Sequence, residues 1–416
     1  MRRCRLSALL AAAALACAKD PPGIGGTGGA GGQGGGGGAN AGSVCDPTAS
    51  TLGAVGVPAP LISVGKTVTA SAGVANADRV VDGLYHSGSP AAFPGTLSDV
   101  NPAWIAIQIV AGGDGGAPPT RLMLAWTDGG YMPYDTVIAG APGTYQIQTS
   151  GDTTDGADGG WLPVATVTGN TVGARAHTFD FTGKTWVRFV VTALATASGG
   201  TVPARIDEIA VHDISASGAT DRPGDTWFFF GDSITQGGFQ RNLTDRFDTG
   251  VHADHPAYFP VMLDGGIGGE FAHDGLRHID ADDWLTINGD FQHVAILFGT
   301  NDSWGDKVAS ATDFGLSMKG IVDAVLAADR VPILARIPYA IDTAGQPTMH
   351  ATIPQFNAII DDLTAANGLP CGPDFYTWFQ THPEELSPDG VHPADMGYAS
   401  MNRLWREAMG RLYPGN

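Results

Sequence analysis

The stretch WFFFGDSITQGG, from Trp227 to Gly238, decides the fold of the C-terminal half of the chain. Four apolar residues run directly into Gly231, Asp232 and Ser233, so a hydrophobic strand ends on a glycine, a carboxylate and a hydroxyl. Fully apolar strands are typical of a parallel sheet that is covered on both faces. The pattern predicts a buried strand that delivers Ser233 to its carboxyl end. A strand closed by an ordinary polar turn is the simpler alternative.

Strands and helices alternate through residues 222–416. The apolar strands HVAILFG and VPILARI flank the helical pattern ATDFGLSMKGIVDAVLAAD, whose apolar side chains fall on one face: Phe314, Met318, Ile321, Val322 and Val325. This alternation predicts a three-layer α/β fold around a parallel sheet. In open sheets of this kind, sites form beyond the carboxyl ends of the strands, where Ser233 and Asn301 both lie.

Residues 46–215 show a different pattern, with short strands such as TRLMLAWT and KTWVRFVVT broken by Gly, Pro and Asp. This predicts an all-β jelly roll or sandwich. The order of RVVDGLYHSG, NPAWIAIQIV, YQIQTS, WVRFVV and IDEIAVHD resembles a discoidin-type, galactose-binding-like module, and the resemblance implies glycan-binding loops at one rim. Four aromatic residues are candidates for stacking on sugars, with a place in the core as the alternative for each: Trp126, Tyr131, Tyr134 and Trp161.

The first 45 residues predict export rather than a folded domain. Residues 1–17 combine a basic start, a short apolar run and small residues before Cys17, which is a secretory signal pattern. The sequence ALAC resembles a bacterial lipobox, which implies that Cys17 is lipidated; ordinary cleavage after Ala16 is the alternative. Residues 18–45 are a Gly-rich linker. We therefore expect a cell-envelope lipoprotein or a secreted protein, attached to a membrane through Cys17.

Charge and cysteine content limit the partners. The formal net charge is −20, from 42 acidic and 22 basic residues, which disfavours nucleic acid as a partner. Two cysteines remain beyond the signal segment, Cys45 and Cys371, either paired in a disulfide or free. His252 and His255, in HADH, have a spacing that a metal could use, but two solvated loop histidines are the expected arrangement.

Five residues in four sequence blocks supply what acyl transfer requires. Ser233 in GDSIT offers a hydroxyl nucleophile, and His392 in DGVH offers a base. Asp389 lies three residues before His392, where one tight turn places a carboxylate beside the imidazole. Asn301 in GTND provides an amide donor for an oxyanion. Gly269 in GGIGGE allows a backbone N–H to approach closely.

These blocks, in this order, resemble the SGNH hydrolases, also called the GDSL family. The resemblance covers residues 222–416 and implies a flavodoxin-like fold. It implies that Ser233 is the nucleophile and that Asp389 and His392 complete the triad. Gly269 and Asn301 would join the Ser233 amide in the oxyanion hole. No cofactor and no metal are implied.

The sequence departs from the family pattern at two places. Ile234 and Thr235 replace the leucine that gives the GDSL family its name, which is a common variation. Asp264 stands where an asparagine often opens the glycine block, which makes Gly269 the least secure assignment. Trp304 either forms the floor of a substrate cleft or packs in the core. Asp232 and Asp302 are expected to form local hydrogen bonds in their turns.

The sequence thus predicts a secreted or surface-anchored serine esterase of the SGNH type, acting on ester substrates. A carbohydrate acetyl esterase is the leading interpretation, with an acetylated glycan as substrate. A lipid esterase or thioesterase of the same fold is one alternative. A non-catalytic glycan-binding surface protein is the other, although an intact set of catalytic residue types argues against it.

Overall fold

The structure is a computed structural model that describes residues 52–85, 89–98, 100–112, 116–128, 140–197, 200–201, 203–219, 221–239, 245–304, 309–341 and 349–414. The predicted signal segment and the whole Gly-rich linker lie outside these residues, as do Cys45, Tyr131 and Tyr134. None of the helices in these ranges is long and apolar enough to cross a membrane.

Within the described residues, eleven strands precede the alternating region: β1 Val68–Ala70, β2 Ala91–Ala92, β3 Ala103–Gln108, β4 Arg121–Asp128, β5 Pro142–Ser150, β6 Leu162–Val167, β7 Ala174–Asp180, β8 Trp186–Leu194, β9 Thr196–Ala197, β10 Gly200–Thr201 and β11 Arg205–Asp213. A 3-10 helix spans Ala77–Val81. The alternating region contains β12 Thr226–Gly231, β13 Val261–Gly266, β14 His293–Leu297 and β15 Val331–Leu334. Its helices are α1 Ser233–Gly238, α2 Phe247–Asp254, α3 Ala272–Asp280, α4 Trp284–Ile287, α5 Ala311–Ala327, α6 Met349–Ala366, α7 Phe375–Thr381 and α8 Asp395–Gly410.

The C-terminal strands form a parallel sheet, in the order β13-β12-β14-β15. Side chains on β12 alternate between two hydrophobic clusters. Phe228 and Phe230 pack with residues of α3, α5 and α6, whereas Trp227 and Phe229 pack with residues of α2, α7 and α8. Helices therefore cover both faces of the sheet, and the predicted α/β fold with a parallel sheet is confirmed. Burying one such side chain stabilises the fold by about 1.5–3 kcal/mol relative to exposure.

Several predicted elements coincide with observed ones. The pattern around Phe314 forms α5, and the five apolar residues predicted for one face are buried. Its N-cap is Ser310, whose hydroxyl accepts from the Asp313 N–H. Strand β13 was not predicted. Its residues Gly265 and Gly266 were assigned to a glycine cluster, but they form the end of the strand. Its pairing with β12 outweighs the low strand propensity of glycine.

The N-terminal strands form antiparallel sheets, as predicted. A five-stranded sheet has the order β1-β3-β8-β5-β6, and a four-stranded sheet has the order β2-β11-β4-β7. A third, two-stranded pair joins β9 and β10. The two larger sheets share one hydrophobic core, in which Trp126 of β4 contacts Tyr145 of β5 and Phe189 of β8. We call this part of the molecule the β region and the remainder the α/β region.

The two regions also share a hydrophobic cluster. Met123 and Ala125 of β4, on the face opposite the β-region core, belong to the same cluster as Phe228 and Val261 of the parallel sheet. The described chain begins on the α/β region, because the Val55 N–H donates to the Leu412 carbonyl at 2.7 Å. Residues 52–55 therefore pack on the α/β region before the chain enters the β region.

Candidate active site

Ser233 lies at the point where β12 ends and α1 begins. Asp232 is the N-cap of α1 and accepts the Ile234 N–H at 2.9 Å. A Cβ atom at Gly231 would overlap the Leu297 carbonyl oxygen, so only glycine allows this close approach of β12 to β14. The turn leaves Ser233 partly exposed at the carboxyl end of the strand.

His392 contacts both Ser233 and Asp389. The Ser233 Oγ lies 2.9 Å from the His392 Nε2, and the His392 Nδ1 lies 2.7 Å from the Asp389 Oδ2. The serine and the histidine are 159 residues apart in sequence, so the contact depends on the tertiary fold. The three side chains form a continuous hydrogen-bonded row of hydroxyl, imidazole and carboxylate, in which the imidazole can take the hydroxyl proton.

Asp389 is held by the turn that carries it. Its Oδ1 accepts the N–H groups of Val391 at 2.8 Å and His392 at 3.0 Å, and the Ser387 hydroxyl at 2.7 Å. Partial burial alone would raise the pKa of Asp389. The hydrogen bonds from the Val391 N–H, the His392 ring and the Ser387 hydroxyl outweigh that effect and hold its pKa well below the usual value. The group that orients His392 is therefore an ionised carboxylate at neutral pH.

The Gly268–Gly269 segment lies beside Ser233. A Cβ at Gly268 would be 3.8 Å from the Ser233 Cβ, and Gly269 has a φ of +83°, which favours glycine. The Asn301 Nδ2 donates to the Glu270 carbonyl at 2.8 Å and keeps a second N–H. Within the described residues, the backbone N–H groups of Ser233 and Gly269 have no acceptor. The structure thus brings together the five residues that the sequence predicted.

Residues 229–399 match the family model of the GDSL-like lipases and acylhydrolases. The C-terminal region is an ester hydrolase of the SGNH type. No curated protein matches the chain.

Among solved structures, an Enterococcus faecalis lipase/acylhydrolase is 26% identical, and the match covers 46% of this chain and 98% of that one, with a TM-score of 0.37. An acetylxylan esterase from Geobacillus stearothermophilus is 21% identical, over 45% and 94% of the two chains, with a TM-score of 0.38. An α/β hydrolase from the metagenome of Lake Arreo, Spain, is 19% identical, over 45% and 96%, with a TM-score of 0.38.

Three buried carboxyl groups lie behind the SGNH site. Burial raises the pKa of Asp232 to about 7 and that of Asp302 to about 6, and it raises the pKa of Asp264 well above its usual value. Asp232 bonds locally, as predicted. Asp302 also bonds locally, with its own backbone N–H, and its carboxylate in addition accepts the N–H of Ala272, 30 residues away, and so caps α3.

A network behind Asn301 was not predicted. The Glu270 side chain lies 2.7 Å from the His278 Nε2, and the His278 Nδ1 lies 2.6 Å from Asp282. The His278 ring stacks on Trp284, with centroids 4.1 Å apart. These contacts fix the residue whose carbonyl accepts from Asn301. No sequence motif predicts these contacts, because Glu270 and His278 come together only when the chain folds into α3.

Trp304 has both of the contacts that the sequence left as alternatives. Its ring centroid lies 6.1 Å from that of His392, at an interplanar angle of 54°. It also packs against the hydrophobic cluster under the sheet. Trp304 is therefore a half-buried aromatic side chain that forms a wall of the site beside His392.

The remaining sequence candidates have structural contacts. Trp126 is buried in the β-region core, whereas Trp161 is partly exposed. The His252 Nδ1 lies 2.8 Å from the Tyr258 carbonyl oxygen, and His255 stacks on Tyr413; the two histidines lie at α2 rather than in a loop.

No group of three metal-ligating side chains occurs among the described residues. Cys371 is disulfide-bonded, and the other three cysteines of the chain lie outside the described ranges.

Proposed function

We propose that the protein is a secreted or surface-anchored esterase that removes acetyl groups from a carbohydrate. Ser233 is the nucleophile, His392 the general base and Asp389 the group that orients it. The 2.9 Å contact between the Ser233 Oγ and the His392 Nε2 carries the catalytic part of the proposal, because the hydroxyl proton is within reach of an imidazole nitrogen.

The reaction proceeds in two steps. The Ser233 Oγ attacks the ester carbonyl carbon while its proton passes to the His392 Nε2. The oxyanion accepts hydrogen bonds from the Ser233 and Gly269 N–H groups and from the Asn301 amide. His392 then donates its proton to the departing alcohol oxygen, which leaves an acyl-enzyme. Water attacks the acyl carbonyl, His392 takes the water proton, and acetate leaves as the Ser233 hydroxyl reforms.

The carbohydrate assignment is supported by the β region. Its strand segments resemble those of galactose-binding-like modules of the discoidin type. We propose a jelly-roll topology for the β region. A glycan-binding module joined to an esterase raises the local concentration of a polymeric substrate. The signal pattern and Gly-rich linker support export, with attachment through a lipid on Cys17.

One observation favours a rival function. A cavity of about 580 Å³ lies beside the oxyanion segment; four of its eight lining residues are apolar, namely Phe271, Ala309, Phe314 and Leu316, and the others are His273, Asp302, Asp313 and Ser317. A cavity of this size and lining has room for an acyl chain, and each buried methylene contributes about 0.8 kcal/mol. A lipid esterase or thioesterase would use it.

A chain-length series separates the two functions. We expect kcat/KM on nitrophenyl esters to fall from acetyl to octanoyl, and acetate to be released from acetylated xylan or another acetylated glycan. The Ser233→Ala protein is the control for background hydrolysis. A rise in kcat/KM towards octanoyl, with no acetate from any acetylated glycan, would replace the carbohydrate assignment with the lipid-ester one.

A further inference from the structure

The five-stranded sheet of the β region has a polar and aromatic outer face. Residues that alternate inwards, such as Ile105 of β3 and Phe189 of β8, belong to the β-region core. Their neighbours on the same strands, Trp104 and Arg188, therefore point away from that core. Both are partly exposed, as are two glutamines of β5 on the same face.

Five side chains form a connected cluster on this face, which we call the outer-face cluster: Trp104, Gln146, Gln148, Trp161 and Arg188. The Arg188 Cζ lies 5.3 Å from the ring centroid of Trp104 and 4.1 Å from that of Trp161. Arg188 donates to the Gln148 Oε1 through its Nε at 3.0 Å and its Nη2 at 2.6 Å. The Gln148 Nε2 donates in turn to the Gln146 Oε1 at 2.8 Å.

The loop before β6 fixes Trp161 in place. The Trp161 Nε1 donates to the Asp158 carbonyl at 3.0 Å. The Asp158 carboxylate accepts from the Thr153 and Thr154 hydroxyls at 2.7 and 2.8 Å, and the Asp152 carboxylate accepts the Gly160 N–H at 2.9 Å. A partly exposed indole held in this way loses little conformational entropy when a ligand covers it.

Arg188 lacks the partner that a half-buried cation usually has. Within the described ranges it forms no ion pair with a carboxylate, although the chain has a large excess of acidic residues. Its guanidinium instead presents planar N–H donors among aromatic faces and amide groups. Packing of the guanidinium on one tryptophan would not explain the second tryptophan and the two glutamines around it.

We propose that the outer-face cluster binds a pyranoside chain. Indole faces pack against the C–H faces of sugar rings, whereas the guanidinium and the amides donate to and accept from ring hydroxyls. The site lies on a sheet face of the β region, and Trp161 is the member of it that the sequence had offered for stacking on sugars. It deepens the proposed function by locating carbohydrate recognition, but it does not require catalysis.

Binding is measured with the full-length Ser233→Ala protein, so that hydrolysis cannot change the ligand. The probes are soluble glucuronoxylan, galactomannan and polygalacturonate, tested by affinity electrophoresis and titration calorimetry. We expect at least one to bind. Trp161→Ala should weaken that binding by about tenfold or more, as expected for an aromatic anchor. Arg188→Lys should also weaken it, because lysine keeps the charge but loses the planar donors.

Two controls make the result specific. Leu162→Ala removes an exposed apolar side chain next to Trp161 and should leave binding unchanged. Trp161→Tyr keeps an aromatic face and should retain most of the affinity, so loss in the alanine variant does not reflect unfolding. The proposal is overturned if none of the three polysaccharides binds, if Trp161→Ala and Arg188→Lys bind normally, or if Leu162→Ala loses as much as Trp161→Ala. Hydrolysis of acetyl esters with no binding at this face would reject this inference alone.

Discussion

Replacing Asp389 by asparagine should separate the chemistry of the site from the stability of its turn. Asparagine keeps the oxygen that accepts the Val391 and His392 N–H groups and the Ser387 hydroxyl. It replaces the other oxygen, which faces the His392 Nδ1, with an amide donor. That donor favours the imidazole tautomer with the proton on Nε2, which cannot accept the Ser233 proton. We expect kcat/KM to fall by about 10³- to 10⁴-fold.

The stability effects of two substitutions at this position should differ. Asp389→Asn retains the three hydrogen bonds of the turn, so its melting temperature should stay near that of the wild type. Asp389→Ala loses all three. At about 0.5–1 kcal/mol each for a partly exposed site, the loss is on the order of 2 kcal/mol. For a protein of this size that corresponds to a fall of about 2 °C in Tm.

Steady-state hydrolysis of nitrophenyl acetate and thermal denaturation of the three proteins test this reasoning. Similar kcat/KM values for the two variants, with a lower Tm for alanine only, are the expected result. If Asp389→Asn keeps more than a tenth of the wild-type kcat/KM, the carboxylate does not set the tautomer. Equal loss of Tm in both variants would mean that the turn depends on the charge of Asp389 rather than on its hydrogen-bond acceptor.

Three further predictions concern other parts of the molecule. Asn301→Ala should lower kcat by about 10²- to 10³-fold, as expected for one oxyanion donor, and a loss below tenfold in steady-state assays would remove Asn301 from that role. Burial raises the pKa of Asp225 to about 7 in the folded protein, whereas its pKa in the unfolded chain is near 3.9. As pH rises from about 4 to 7, the unfolded chain releases this proton first, so the free energy of unfolding falls. In thermal scans across that range, Asp225→Asn should lose less Tm than the wild type; equal slopes would contradict the assignment. Intact-mass analysis of the native protein should find lipid on Cys17, and a soluble form with an unmodified N-terminus would disprove it.

The site could be anticipated largely because its residues follow elements with strong patterns. Ser233 follows an unbroken apolar strand, and Asp389 and His392 share one short turn, so local geometry and motif order agree. The contact of Asp302 with Ala272 was not predicted, because it joins the start of α3 to the turn after β14. No local pattern encodes such a contact.

Sequence reasoning offered Trp161 as a sugar-stacking candidate but could not find its partners in the outer-face cluster, for a similar reason. Trp126 and Trp161 look alike as isolated aromatic residues in a β-rich segment. The sheet pairing buries Trp126 and leaves Trp161 over Arg188, which lies on a strand that is not its neighbour in sequence. Strand β13 was missed because two of its six residues are glycines, whose contribution comes from close packing rather than from propensity.

The position of residues 52–55 determines how the molecule would carry a mechanical load. The Val55 N–H is bonded to the Leu412 carbonyl, and the Gly53 carbonyl lies 2.7 Å from the His293 Nε2 at the start of β14. A load applied at residue 52 would therefore reach the parallel sheet first, before any strand of the β region. The antiparallel sheets would stay unloaded until a ligand pulled on them from the other side.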